Sequence, residues 1–338
     1  MRTEQITLNG DRHVTLTAYL LGTGGEFFGI DRRPAMLVIP GGGYHFCSDR
    51  EADPVALPYL AAGYHAFILR YSLNEQAAWP NPLDDYDAAM DLILKHADDW
   101  RVDADRIAVV GFSAGGHLAA CAATMARHRP SAAILGYPVI DGACVNDYLP
   151  GAPDAAEAVD DRTCPCFVFA TRTDNLVPVE NSLHMVNALC AHDIAFESHI
   201  YGYGGHGLTT GITAINYPGY SARYANWVKD SIAWLEDVLG GLSVRGETPP
   251  AFGPRLNGNR DETLNIDCTI ACLKKSPEAV RAIAELVPQK DVFKDAPSAA
   301  GHVIRLSDSL RYAGVPDETL NALNERLQTI PNDRRTDK

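Results

Sequence analysis

The run Gly111-Phe112-Ser113-Ala114-Gly115-Gly116-His117 fits the pattern G-x-S-x-G. A short β-branched segment, Arg106 to Val110, precedes it, and the helix-like run Leu118 to Met125 follows. A serine on a sharp strand-to-helix turn is held in a strained backbone with its hydroxyl exposed. Flanking glycines are needed where a Cβ would clash. The helix N-terminus behind Ser113 offers N–H groups to a developing oxyanion. The chemistry these residues suit is nucleophilic attack on an acyl carbon, with Ser113 as the nucleophile.

A nucleophile needs a base, and the base needs an orienting acid. Cys166 to Ala170 reads as a strand, with Asp174 in the loop that follows. Ala195 to Tyr201 reads as the next strand and runs into Gly204-Gly205-His206-Gly207. Asp174 and His206 are therefore expected on loops at the same sheet edge as Ser113, where open α/β sheets bind ligands. The rivals are Asp141, which follows the strand-like Ala132 to Ile140, and His117 and His199. His117 sits just inside a helix and His199 within a strand, which suits packing better than catalysis.

A second set of oxyanion donors is expected from a glycine-rich loop after an earlier strand. Ala35 to Ile39 reads as that strand and Pro40-Gly41-Gly42-Gly43-Tyr44 as the loop. The amide of Gly42 or Gly43, together with that of Ala114, is the expected donor set. No Gly-Lys-Ser/Thr follows and the loop itself is not a G-x-G-x-x-G, which argues against a phosphate loop here.

With these pieces in place the chain resembles the α/β-hydrolase superfamily, and within it bacterial acetyl esterases and xylan-esterase-like hydrolases. The resemblance rests on Pro40 to Tyr44, Ser48-Asp49-Arg50-Glu51, Trp79-Pro80-Asn81-Pro82-Leu83-Asp84, Val102 to Ile107, Gly111 to His117, Asp174 to Pro178 and Gly205-His206-Gly207. It covers residues of about 30 to 240. Pro40 stands where hormone-sensitive-lipase-like esterases carry the histidine of His-Gly-Gly-Gly, so the chain is not assigned to that branch. The resemblance implies a serine hydrolase acting on small esters of short acyl groups, acetylated sugars among them, with no cofactor and no metal. An amidase or peptidase using the same triad is the alternative, and a non-catalytic binding protein on this scaffold is a third reading. Tyr44, His45, Arg50 and Trp79 are candidate substrate-binding residues, each with packing as the competing role.

The elements that must position these groups alternate. Strands are expected around 35–39, 65–71, 106–110, 132–137, 166–170 and 195–201, separated by helices. That order implies an α/β fold, a mostly parallel sheet with helices on both faces. Val14 to Leu20 is expected as an antiparallel edge strand, and Tyr220 to Leu239 as a long helix. Asp84 is expected to cap a helix running through Leu94, which accounts for the cluster Asp84, Asp85, Asp87 and Asp91 without a metal. The expected domains are residues 1–245, a Gly/Pro-rich linker over 246–262, and a helical C-terminal appendage over 263–338. In the appendage Ser276 and Pro277 open one helix. Val303, Leu306 and Leu310 mark a second, stopped at Gly314, and Asp317 starts a third. Such a tail buries little apolar surface alone. It is expected to form a homo-oligomer contact or to roof the pocket.

Composition sets outer bounds. The 338 residues are 46% hydrophobic and 21% charged, with a formal net charge of −14. That charge disfavours nucleic acid and anionic membrane as partners. The eight cysteines are spaced like reduced apolar residues rather than a disulfide framework. Residues 1–8 lack the apolar run of a signal peptide, and no run reaches the roughly 18 residues of a membrane span. A cytoplasmic location is therefore the expectation.

Overall fold

The structure is a computed structural model that describes residues 1–290, 292–295, 301 and 303–333. The expected appendage range runs to 338, so its last five residues lie outside the described ones. Contacts divide the chain into two compact units, Met1–Pro254 and Arg255–Lys338.

The first unit is built on eight strands: β1 (Arg2–Asn9), β2 (Val14–Leu20), β3 (Arg33–Ile39), β4 (His65–Arg70), β5 (Val102–Phe112), β6 (Ala132–Gly136), β7 (Cys166–Thr171) and β8 (Phe196–Tyr201). Their order in the sheet is β1-β2-β4-β3-β5-β6-β7-β8. The pairs from β4 onward are parallel, whereas β1–β2 and β2–β4 are antiparallel. β3 and β6 are buried at every position. Such strands read as continuous Val/Ile/Leu/Ala runs because both their faces are covered. β2 is antiparallel, as expected, but it does not form the edge. That place belongs to β1, whose residues are half exposed and alternate weakly.

Six helices cover the two faces: α1 (Asp53–Ala61), α2 (Asn81–Lys95), α3 (Ala114–Met125), α4 (Gly142–Tyr148), α5 (Glu180–Ala191) and α6 (Asn226–Leu239). Tyr86 and Ile93 of α2, Leu118 of α3 and Met185 of α5 pack in one core with Leu37, Val109 and Leu135 of the sheet. Tyr59 of α1 and Trp227 and Trp234 of α6 pack in a second core with Val38, Val110 and Phe169. These two cores lie on opposite faces, because neighbouring strand residues point opposite ways. The expected helix from Tyr220 is shorter: a single 3₁₀ turn spans Ala222–Ala225 and α6 follows it.

The first unit extends past residue 245. Gly246-Glu247 pairs with Leu242-Ser243 in a small antiparallel ribbon. The Ala195 N–H donates to the Pro254 carbonyl at 3.0 Å, which ties the end of this unit beside β8.

The second unit has its own core, including Leu264, Ile283, Leu306, Leu310, Leu320 and Leu327. Its main helices are α7 (Pro277–Leu286), α8 (Leu306–Tyr312) and α9 (Asp317–Leu327). Ser276 caps α7 by accepting the Ala279 N–H at 3.3 Å, with Pro277 in the first turn. Val303 is 76% exposed and precedes α8 rather than belonging to it. Among the described residues no helix is long and apolar enough to cross a membrane.

The carboxylate cluster resolves differently from the expected cap. α2 starts at Asn81, so Asp84 lies in its first turn rather than before it. The structural carboxylate is Asp85, which is 1% exposed. It accepts the Ser72 N–H at 2.8 Å and the Ser72 hydroxyl at 2.5 Å, and it pairs with Arg12. Asp85→Ala would leave these donors buried without an acceptor. The expected cost is on the order of 3 kcal/mol, read as a lower urea midpoint. Loss below about 0.5 kcal/mol would remove Asp85 from the list of fold-determining contacts.

Candidate active site

Ser113 lies between the end of β5 and the start of α3, with φ 54° and ψ −119°. Positive φ in a residue with a Cβ is strained, at a cost of roughly 1–3 kcal/mol, and persists only when its surroundings fix it. Here they do. The Ser113 N–H donates to the Gly136 carbonyl at 3.0 Å, and its own carbonyl accepts the His117 and Val139 N–H groups at 2.9 and 3.1 Å. The turn closes only with glycine at its corners. A Cβ on Gly111 would lie 2.2 Å from the Gly115 carbonyl oxygen, and one on Gly115 would lie 2.2 Å from that of Ile39.

The structure brings His206 and Asp174 to this serine. His206 Nε2 is 2.8 Å from Ser113 Oγ, and His206 Nδ1 is 2.8 Å from Asp174 Oδ2. The other Asp174 oxygen accepts the Leu176 and Val177 N–H groups, each at 2.9 Å. This leaves the carboxylate no freedom to turn from the imidazole. The two loops are laced together: Thr171 and Thr173 hydroxyls donate to the Gly204 carbonyl, and Asn175 Oδ1 accepts the His206 N–H.

The rivals take other roles. Asp141 caps α4 by accepting the Ala143 and Cys144 N–H groups. His199 bonds Glu197 at 2.6 Å and stacks on Phe167. His117 is fully buried, with Nδ1 2.6 Å from the Tyr44 hydroxyl and Nε2 2.9 Å from the Pro153 carbonyl. These partners fix the tautomer: Nε2–H donates to Pro153 and Nδ1 accepts from Tyr44.

In the glycine loop the Gly41 N–H is taken by Glu51 at 2.8 Å. The Gly42 and Gly43 N–H groups have no acceptor among the described residues, and neither has the Ala114 N–H at the start of α3. Gly42 has φ 135°, and a Cβ there would meet the Phe46 carbonyl oxygen at 2.0 Å. The loop shape therefore requires glycine.

The four candidate substrate residues separate. Tyr44 is 2% exposed, edge-on to Tyr71, and its hydroxyl lies 2.6 Å from His117 Nδ1, the contacts of a packed side chain. Trp79 is half-buried with its ring 5.9 Å from that of His117. His45 is exposed beside Asn74. Arg50 borders a cavity of about 540 Å³ with Ala214, Ile215, Asn216 and Tyr217, and its Nη1 donates to the Ile215 carbonyl at 3.2 Å.

Two residues nearby carried no role in the sequence reading. The Tyr148 ring lies 3.4 Å from where a Gly43 Cβ would be. Glu51 is 3% exposed and bonds Gly41 and Tyr137, and the Tyr137 ring packs edge-on to His206 with centroids 4.9 Å apart. Neither is signalled by spacing, because both act through the fold. Among the described residues no group of three or more His, Cys, Asp or Glu side chains is placed to hold a metal.

Comparison with known proteins follows the same outline. Residues 30–148 match the BD-FAE family. The chain is 34% identical over 211 residues to an endo-1,4-beta-xylanase B of Butyrivibrio fibrisolvens, spanning 53% of this chain and 33% of that protein. It is 27% identical over 241 residues to an acetylxylan esterase of Xylanibacter ruminicola, spanning 65% and 50%. The chain thus spans a third to a half of the length of these curated relatives. Among solved structures, an alpha/beta hydrolase enzyme from a Medee basin deep-sea metagenome superposes with a TM-score of 0.66 at 41% identity, covering 70% of this chain and 97% of that one.

The buried histidines make stability depend on pH. Burial lowers both His65 and His117 to about 4, whereas the unfolded chain protonates them near 6.5. Between those values the unfolded state binds more protons, so stability falls as pH drops from about 6.5 to about 4. The expected loss is on the order of 3 kcal/mol per histidine. Urea midpoints measured across this window should fall, and His117→Gln should flatten the slope by one group. An unchanged slope in that variant would show that His117 is not held neutral.

Proposed function

Given that the chain belongs to the α/β-hydrolase superfamily, we propose that it hydrolyses short-chain carboxylic esters, acetyl groups on sugars among them, through an acyl-enzyme on Ser113. The observation that carries this reading is the single imidazole of His206, bonded at 2.8 Å to Ser113 Oγ on one side and at 2.8 Å to Asp174 on the other. In this mechanism Nε2 of His206 takes the serine proton as Oγ attacks the ester carbonyl. Asp174 holds Nδ1 protonated and stabilises the imidazolium that forms. The tetrahedral oxyanion is held by the Ala114 N–H and by Gly42 or Gly43. The imidazolium then gives its proton to the leaving alcohol, and water repeats the cycle to release the acid.

The acyl side of the substrate meets Gly43, where the Tyr148 ring limits the space. A small acyl group suits that boundary. The alcohol side is assigned to the Arg50 cavity, whose volume of about 540 Å³ admits a sugar ring. The name of the acetylxylan esterase relative supports the same substrate class.

The test is hydrolysis of 4-nitrophenyl acetate, butyrate and octanoate, with an acetylated xylo-oligosaccharide and a matched anilide alongside. Acetate is expected to be the best of the three chain lengths. Ser113→Ala should lower turnover on the order of 10⁶-fold and Asp174→Asn about 10⁴-fold. Ester turnover that survives Ser113→Ala would contradict the assignment, and preference for the anilide would redirect it to amides.

A further inference from the structure

Glu51 is buried beneath the proposed reaction centre, and both of its oxygens are engaged. Oε2 accepts the Gly41 N–H at 2.8 Å and Oε1 accepts the Tyr137 hydroxyl at 2.6 Å. The Tyr137 hydroxyl donates to Glu51 and its oxygen also accepts the Thr209 N–H at 3.2 Å. Two acceptor oxygens and no donated proton are the pattern of an ionised carboxylate. Taking that charge out of water is costly, and an apolar residue of similar size would avoid the cost. What the buried charge holds in place is set by its two bonds.

They reach two different parts of the centre. In the first, Gly41 is pressed against the nucleophile: a Cβ there would lie 2.5 Å from the Phe112 carbonyl oxygen and 3.0 Å from Ser113 Cβ. Fixing the Gly41 N–H fixes the peptide plane from which the Gly42 and Gly43 N–H groups continue. In the second, Tyr137 forms the platform against which His206 packs, with ring centroids 4.9 Å apart. Tyr137 itself has φ 34° and needs an anchor to stay there.

We infer that Glu51 is a positioning residue that couples the two halves of the proposed catalytic centre, setting the oxyanion donors of the glycine loop through Gly41 and the orientation of His206 through Tyr137. The inference rests on the reading of Ser113 as the nucleophile. The other ionisable groups around the carboxylate are Arg50 and His206, the phenols of Tyr71, Tyr137 and Tyr224, and the Cys47 thiol. Burial pushes the Glu51 carboxyl up, and the bonds from Tyr137 and Gly41 oppose that shift.

The experiment uses the full chain and 4-nitrophenyl acetate, with active sites counted by stoichiometric labelling with a nitrophenyl phosphonate. Glu51→Gln keeps the shape and the acceptor for Gly41 but removes the charge. Tyr137→Phe cuts the other link and leaves Gly41 bound. Glu51→Gln should lower kcat per labelled site about tenfold or more, with KM within about threefold, because donors that act in the transition state are displaced. Tyr137→Phe should lower it less, and the double variant should lose less than the product of the two. Unchanged kcat per labelled site in Glu51→Gln, even with a lower Tm, would overturn the inference, as would a rise in KM alone. Wild-type turnover that vanishes in Ser113→Ala establishes the underlying reading separately, so a silent Glu51 then counts against Glu51 only; an inactive wild type overturns both.

Discussion

The backbone of Ser113 is the constraint on which the rest of the site depends. A φ of 54° at a residue with a Cβ is unfavourable alone, and two neighbouring strands, β6 and β3, hold it. β6 accepts its N–H at Gly136, and the segment after β6 returns the Val139 N–H to its carbonyl. The first turn of α3 packs so tightly on the end of β3 that only glycine fits at position 115. The parallel order β3-β5-β6-β7-β8 then brings the C-terminal ends of β7 and β8 alongside, and their loops deliver Asp174 and His206. Sheet topology sets the distances of the centre, and the loops only finish it.

The same arrangement explains why charge is buried where it is. Asp174 is closed in by two backbone N–H groups and the imidazole, and Glu51 by Gly41 and Tyr137. In each case hydrogen bonds to fixed donors offset the loss of water. A carboxylate with this many donors is rigid, and rigidity is what a centre needs when reacting groups must stay aligned. His117 shows the contrasting case: its imidazole is buried among Tyr44, Pro153 and Cys121 and held neutral, so it contributes packing and no charge.

Much of this was legible in the chain because backbone rules leave local marks. The glycines at 111 and 115, the β-branched run before them and the small residues after them announce the turn around Ser113. The apolar runs at 35–39, 132–137 and 166–170 announce buried parallel strands. His206 stands out from His117 and His199 through the glycine-rich loop that follows a strand end, whereas Asp141 also follows a strand and is told from Asp174 only by its cap on α4. What stayed hidden depends on contacts between distant segments. β1 pairs through its backbone and carries few apolar residues, so the strand Arg2–Asn9 has little side-chain signal. Tyr44 reads as a candidate substrate-binding residue with packing as the competing role, and only the assembled fold shows its hydroxyl turned inward to His117. Glu51 lies in a polar stretch that resembles a solvated turn, and its burial appears only when β3, β5 and β6 are assembled around it. Val303 matched an amphipathic spacing, but it precedes the α8 start at Leu306.

The central claim is that Ser113 is the activated nucleophile of this chain. The most direct measurement is peptide mass spectrometry after reaction with an active-site phosphonate, on the wild type and on His206→Ala. One adduct per chain on the peptide carrying Ser113, forming at least about a hundredfold more slowly without the His206 imidazole, is the result this account predicts. No adduct, an adduct on another residue, or an equal rate in His206→Ala would contradict it.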